Sequence, residues 1–294
     1  MELYSRILHF EKKDGWQVYS DRAALIYEKM NIIPRRASIG IFRAMVKFTE
    51  RNYKKALDIL QLERSEVEAK NTFIDPMTRL DFDYTEAVLQ FAVGNSKDAL
   101  EVMESGIAFS REKQVFYRID HLYRLATFHS MMVYDEEKTK YYTKKIELYG
   151  ELADDKEATL FAKYTEIHYL NSYQKDYEKA LNLLEHYQDK FELGKFHSPF
   201  VHLEKGKALF GLNRFESALI ELNQVKIADY IHHPFDLSTF YVKDAYIALC
   251  YFALGNQVKS IEHAKIAYDN ISAMPDSPYK DFINETYEKI RSRH

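Results

Sequence analysis

A six-residue phrase recurs along the chain: a small or polar residue, an aromatic, two polar residues, then Ala-Leu or a substitute. It reads Asn52-Tyr53-Lys54-Lys55-Ala56-Leu57, Asp176-Tyr177-Glu178-Lys179-Ala180-Leu181 and Arg214-Phe215-Glu216-Ser217-Ala218-Leu219. Weaker copies are Asn95-Ser96-Lys97-Asp98-Ala99-Leu100 and Asn256-Gln257-Val258-Lys259-Ser260-Ile261, and the weakest is Tyr134-Asp135-Glu136-Glu137-Lys138-Thr139. Aligned on the Ala position, the copies fall at 56, 99, 138, 180, 218 and 260, with spacings of 43, 39, 42, 38 and 42. Six copies at a near-constant period point to stacked structural units, each unable to bury its apolar face alone.

Each copy carries the same physical logic. Twelve positions before the Ala stand Ala44, Ala87, Ala126, His168, Gly206 and Ala248, and five of these six are small enough to let a neighbouring helix approach closely. A short turn follows, with Gly94, Asn213 and Gly255 in three copies. These residue types tolerate the left-handed backbone that ends a helix. The Ala then opens the inner face of a second helix, continued four residues later by Leu60, Met103, Tyr142, Leu184, Leu222 and Ala264. Each unit therefore reads as a helix–turn–helix pair. Gly and Pro together make up 15 of 294 residues, whereas Tyr, Phe and Trp number 43, which excludes disordered, collagen-like and Gly-rich β chains.

This pattern resembles the tetratricopeptide repeat over roughly residues 37–270. The resemblance implies an all-α fold, a right-handed superhelical solenoid of about six helix pairs. Copy three departs from the motif, with Lys138 at the small position. The period also exceeds the roughly 34 residues of the plain unit. The surplus is expected in longer helices or in the connections around Lys70–Pro76, Phe191–Pro199 and Asp229–Pro234. Residues 1–36 form an N-terminal helical segment, with a helix over 15–30 ended by Asn31 and Pro34 and buried through Val18, Ala23, Ala24, Leu25 and Tyr27. Residues 271–294 form a C-terminal capping helix, Tyr279 to Arg291, with Phe282, Ile283, Tyr287 and Ile290 on its buried side.

The chemistry-bearing residues form no recognisable catalytic set. The chain has no Gly-x-Gly-x-x-Gly or Walker-type loop and no Gly-x-Ser-x-Gly elbow. The spacings His197/His202, His232-His233 and His121/His129 lack the geometry and partners of a metal site, so no metal or other cofactor is expected. Asp81/Asp83 and Asp154-Asp155 read as helix-start residues that favour the N-terminal dipole. In Lys140-Tyr141-Tyr142-Thr143-Lys144-Lys145 the lysines are expected in water and the tyrosines inward. Cys250 reads as a packed core residue. A net charge of −4 provides no global field for nucleic acid. The N-terminus has no apolar signal core and no run of 18 apolar residues occurs, so a cytoplasmic protein without a membrane span is expected.

In tetratricopeptide-like stacks the first helix of each pair lines the concave face. Carried onto this chain, that rule names Tyr84, Tyr123, Arg124, Thr127, Glu166, Tyr169, Asn171, Glu204 and Lys207 as lining a groove for a short peptide or protein segment. The long period and the Tyr/Phe/Lys/Glu/Asn-rich repeats look like the sensor domain of Gram-positive peptide-pheromone receptors, the Rap, NprR, PlcR and arbitrium-receptor group. That resemblance implies a cytoplasmic regulatory sensor, with Asn171 suited to hold a peptide backbone. It departs at the N-terminus, where about 36 residues precede the first repeat and no basic recognition helix is visible. The chain is thus expected to be a non-enzymatic peptide-binding module. The alternative is a structural scaffold that assembles through convex or end surfaces, including as a homodimer.

Overall fold

The computed structural model describes residues 1–70, 74–190 and 198–293. Among them the chain forms fifteen α-helices, one π-helical turn and no strand, an all-α repeat fold. Two compact units divide it, Met1–His129 and Ser130–His294. In chain order, a hairpin of α1 (Glu2–Phe10) and α2 (Trp16–Lys29) precedes six helix pairs. The pairs are α3 (Ile33–Thr49) with α4 (Tyr53–Lys70), α5 (Pro76–Ala92) with α6 (Ser96–Lys113), and α7 (Ile119–Met132) with α8 (Glu136–Ala153). They continue as α9 (Lys156–Tyr169) with α10 (Tyr177–Lys190), α11 (Ser198–Gly211) with α12 (Phe215–Leu222), and α13 (Pro234–Ala253) with α14 (Gln257–Ile271). The helix α15 (Pro278–Arg291) follows.

The repeat phrase marks the start of every second helix. Ala56, Ala99, Ala180, Ala218 and Ser260 are each its fourth residue, and all are fully buried. In the third pair the fourth residue of α8 is Thr139, not Lys138. Thr139 is buried while Lys138 is only half-buried, so the sequence alignment there is one residue out of register. The backbone fixes the correct register independently. Five positions before this residue, all six turns place one residue in the left-handed region: Arg51, Gly94, Tyr134, Lys175, Asn213 and Gly255, with φ between 56° and 85°. Gly94 and Gly255 take that conformation without the steric cost that a Cβ imposes.

The long period resides partly in the helices. α3 and α4 alone hold 17 and 18 residues, already about the length of a whole plain repeat. Eleven residues lie between α12 and α13 and contain the expected Asp229–Pro234 connection except Pro234, which is the first residue of α13. Positions 71–73 and 191–197 lie outside the described residues, and with them most of the other two expected connections and His197.

In the first unit, the core joins Ala44, Phe48, Ala56, Leu57, Leu60, Phe82 and Leu89 from two successive pairs. A buried ion cluster ties α3 to α4: Arg36 and Arg43 both bond the Glu63 carboxylate, Arg43 Nη1 at 2.7 Å. Asp81 and Asp83 lie inside α5 rather than at its start, where Asp75 is the cap. Asp83 is buried against Arg64 Nη2 at 2.8 Å, and Asp81 accepts from Tyr117 and Arg118. Asp155 does cap α9, accepting from the Ala158 amide at 3.1 Å. α2 ends at Lys29 and Asn31 turns the chain with a φ of 55°, but Pro34 opens α3. Ala23 and Ala24 pack on Ile39 as expected, whereas Val18 and Leu25 face outward.

In the second unit, Leu160, Tyr164, Ile167, Ala180, Leu184 and Val201 join the fourth and fifth pairs, and Ala248, Ala264 and Ile290 join the sixth pair to α15. Tyr142 is buried but Tyr141 is exposed. Cys250 is fully buried, and burial pushes its thiol up to about 12. No helix is long and apolar enough to cross a membrane among the described residues.

Candidate functional site

The last turn of the fourth pair's first helix is not α-helical. Leu170–Gln174 forms a π turn that ends on Lys175 in the left-handed region. A π turn widens the helix and turns side chains off their α-helical bearing. Here it delivers Asn171 and Ser172 toward α11 and Tyr173 toward Met131. Asn171 Nδ2 donates to the Glu204 backbone carbonyl and carboxylate, both at 2.9 Å. Ser172 Oγ accepts from Lys207 Nζ at 2.7 Å, and Tyr173 donates to the Met131 carbonyl at 2.6 Å.

Around Glu204 lies a buried network. Its Oε1 is 2.7 Å from His168 Nδ1 and 2.8 Å from Lys207 Nζ. His168 Nε2 is 2.7 Å from the hydroxyl of Tyr279, which α15 brings in. A carboxylate only accepts, so His168 carries its proton on Nδ1 and its Nε2 accepts from Tyr279. Burial opposes ionisation of Glu204, but Lys207 and His168 reverse the effect and hold its carboxyl down at about 2. Burial, with Lys207 beside it, lowers His168. Burial also lowers Lys207, against the pull of Glu204; an ammonium there pairs with the carboxylate beside a neutral imidazole, which is the tolerable way to bury two ions. The Oδ1 atom of Asn171 is buried with no hydrogen-bond partner.

A cavity of about 220 Å³ opens beside this network. Lys207 and Tyr279 form part of its wall, with Tyr134, Tyr173, Lys175 and Tyr246 on the repeat side and Asp281, Phe282 and Glu285 on α15. Burial raises the phenol of Tyr246 and lowers the ammonium of Lys175. Two of the wall residues, Tyr134 and Lys175, are the left-handed turn residues of the third and fourth pairs. Non-glycine residues in that conformation cost of order 1–2 kcal/mol each. An aromatic chamber with an ammonium deep in its wall and both signs of charge at its rim suits a polar segment carrying an apolar side chain.

A second, wider crevice of about 400 Å³ lies among α8, α9 and α10. Lys140, Lys144, Lys163 and Lys179 line it with Glu147, Glu166 and Tyr169. Glu147 accepts from Lys144 and Lys163 at 2.7 and 2.6 Å.

Of the nine residues expected along one groove, four lie in the first unit and five in the second, and the five of the second unit fall in two places. In the second unit, Asn171, Glu204 and Lys207 join in the buried network, while Glu166 and Tyr169 point into the lysine-lined crevice. Residues 166 and 171 are five apart, about 140° around an α-helix even before the π turn. In the first unit, Tyr84 is half-buried and meets the His121 ring edge-on at 5.4 Å. Arg124 lies 3.6 Å from Asp120, and Tyr123 is buried. Thr127 is fully buried and donates to the Tyr123 carbonyl at 2.8 Å. With the register corrected to Thr139, Thr127 takes the small position twelve residues before it in the repeat. Sequence reasoning missed Tyr134, Lys175, Tyr246 and Tyr279. The first two were findable from their place in the turn.

Among the histidines, His233 Nδ1 caps α13 by accepting from the Phe235 amide, and His202 pairs with Glu221 at 2.7 Å. No group of three potential metal ligands converges among the described residues.

No protein-family model matches the sequence. No curated protein matches it either. Solved structures do. A tetratricopeptide repeat protein from Parabacteroides merdae ATCC 43184 aligns over 98% of this chain and 96% of its own, at 9% identity and a TM-score of 0.62. The fold is tetratricopeptide-like. The TPR2AB-domain:pHSP90-complex of yeast Sti1 aligns over 87% of this chain and 98% of its own, at 13% identity and a TM-score of 0.32.

Proposed function

We propose that the chain is a non-enzymatic binding module that takes a short peptide or protein segment at the first-helix face of its second unit. The observation that carries this reading is the cavity between Tyr134, Tyr173, Tyr246 and α15, with Lys207 in its wall and Lys175, Asp281 and Glu285 around it. Aromatic walls supply apolar area, and the charged rim supplies direction. The finer reading is a cytoplasmic regulatory sensor, and it rests on the resemblance of the repeats to peptide-pheromone receptors. Nucleic acid is not an expected direct partner of a chain with net charge −4.

Native mass spectrometry of the protein isolated from its own cytosol tests this reading. The expected result is a retained short-peptide mass that Lys175→Glu removes without unfolding the chain. A bare chain, or a retained mass indifferent to Lys175→Glu, overturns it.

One observation favours a second reading, assembly without a peptide ligand. Tyr279 of α15 already occupies part of this face. A scaffold would keep α15 in place whatever it bound, so hydrogen exchange of 278–291 would not change in a cell extract.

A further inference from the structure

The helices α1 and α2 form a hairpin whose inner side is well accounted for. Ser5, Leu8, Ser20, Ala23 and Ala24 are buried, and Ser5 Oγ donates to the Trp16 carbonyl at 2.8 Å. Arg6 bonds Ser38 and Tyr27 bonds Glu2, closing the hairpin on α3. The other side is apolar and open. Leu3, Ile7 and Phe10 stand at i, i+4 and i+7 on α1, and Val18 and Leu25 at i and i+7 on α2. These five, with Tyr4 and Ile26, are between 40% and 87% exposed.

This concentration is unlike the rest of the chain. Of the 24 exposed large hydrophobic residues among those described, nine lie in the first 30 positions. The opposite terminal element behaves differently. α15 buries Tyr279, Ile283 and Ile290, and none of its large hydrophobics is among the exposed ones. The outer surface of α15 is polar, whereas that of the α1–α2 hairpin carries exposed large hydrophobic residues.

We infer that the outer face of the α1–α2 hairpin is a homodimer interface, occupied by the same face of a second copy. Area supports that occupant. At on the order of 200 Å² per large side chain, the exposed fractions of the seven residues amount to roughly 750 Å², close to the ~800 Å² per partner of a standard stable interface. Charge supports it as well. The residues beside the patch, Glu11, Lys12, Lys13, Asp14, Asp21 and Arg22, carry three charges of each sign. A two-fold axis brings a surface against itself, so a neutral, mixed rim is self-compatible where a single-sign rim would repel. A membrane-surface helix instead pairs its apolar face with a Lys/Arg-rich polar one, which this neutral rim does not provide. The inference is independent of the peptide-binding reading, because the patch lies wholly in the first unit.

Sedimentation velocity across a concentration series, on the whole chain, tests it. A monomer–dimer equilibrium is expected, and Ile7→Glu with Leu25→Glu should weaken it at least about tenfold by setting like charges face to face. Both sites are exposed, so the thermal transition of the variant should match that of the parent. Cross-linking gives a second readout. The native thiol, Cys250, is buried, so an added Ile7→Cys should form a disulfide-linked dimer under mild oxidation, while Val258→Cys, exposed in the second unit, should not. A monomer at every concentration, a dimer indifferent to the glutamates, or equal cross-linking at both sites overturns the inference. So does a monomer that instead binds vesicles of anionic lipid.

Discussion

Tyr279 on the C-terminal helix donates its hydroxyl proton to His168 Nε2 on the fourth pair, 2.7 Å away and 111 residues distant in sequence. Both groups are buried. The contact fastens α15 to the first-helix face and fixes which imidazole nitrogen carries hydrogen. Tyr279→Phe removes the donor and leaves a buried acceptor unsatisfied, which costs roughly 1–3 kcal/mol. We expect a lower urea midpoint of about that size and faster hydrogen exchange over 278–291 than in the rest of the unit. Uniform acceleration across the unit would mean that α15 is not held through this bond.

The same network makes the second unit acid-sensitive, and the sign follows from two depressed groups. His168 is lowered from its ordinary value of 6.5 by burial and by Lys207. As pH falls below 6.5 the unfolded chain binds a proton that the folded chain refuses, so stability is lost from there down to the folded value. Glu204 is lowered from 4.5 to about 2. Its contribution is complete above 4.5 and disappears as pH falls from 4.5 to about 2. Denaturation midpoints from pH 7 to 5 should fall more steeply in the parent than in His168→Asn. An NMR titration placing the His168 imidazole above 6.5 would contradict this account.

The repeat was legible because a period of about 41 residues and the buried Ala positions come from packing that recurs. Where a residue broke the pattern, the sequence misled. Lys138 takes the place of Thr139 in the alignment, since neither is Ala, and the burial of Thr139 and the left-handed Tyr134 fix the register. That single shift moves Thr127, which is fully buried, into the small position of the repeat. The site was less legible for two physical reasons. The π turn at Leu170–Gln174 changes the bearing of Asn171, and no local pattern announces it. Tyr279 reaches the site from a helix outside the repeats, a long-range contact that periodicity does not encode. The outward Val18 and Leu25 show the converse: an amphipathic pattern identifies an apolar face without saying what covers it.

Gly206 sets the spacing of the fifth pair. A Cβ there would sit 2.5 Å from Leu222 Cγ and 2.6 Å from Cδ2. Helix propensity favours Ala over Gly by up to about 1 kcal/mol, whereas overpacking costs about 1–3 kcal/mol. Because Leu222 is itself fully buried, it has little room to yield, and Gly206→Ala should destabilise by about 1–2 kcal/mol. In a double-mutant cycle with Leu222→Ala the clash disappears, so the two substitutions should be non-additive by a similar amount. Additive denaturation energies would show that α11 and α12 separate freely.

The left-handed turn residues separate stability from binding. Arg51, Tyr134 and Lys175 adopt φ of 58°, 56° and 59°, a conformation that costs an L-residue about 1–2 kcal/mol and a glycine almost nothing. Glycine also gains more freedom in the unfolded chain, so the net gain at an exposed turn is about 0.5–1 kcal/mol. Arg51 lines neither cavity of the second unit, and Arg51→Gly should raise the urea midpoint with no effect on ligand retention. Lys175→Gly relieves the same strain but removes a cavity wall and the bond from its Nζ to the Ser172 carbonyl at 2.7 Å. It should leave stability nearly unchanged and abolish retention of the peptide mass. If Lys175→Gly retained the ligand as well as Arg51→Gly does, Lys175 would be only a turn residue, and the binding face would have to be sought elsewhere on the unit.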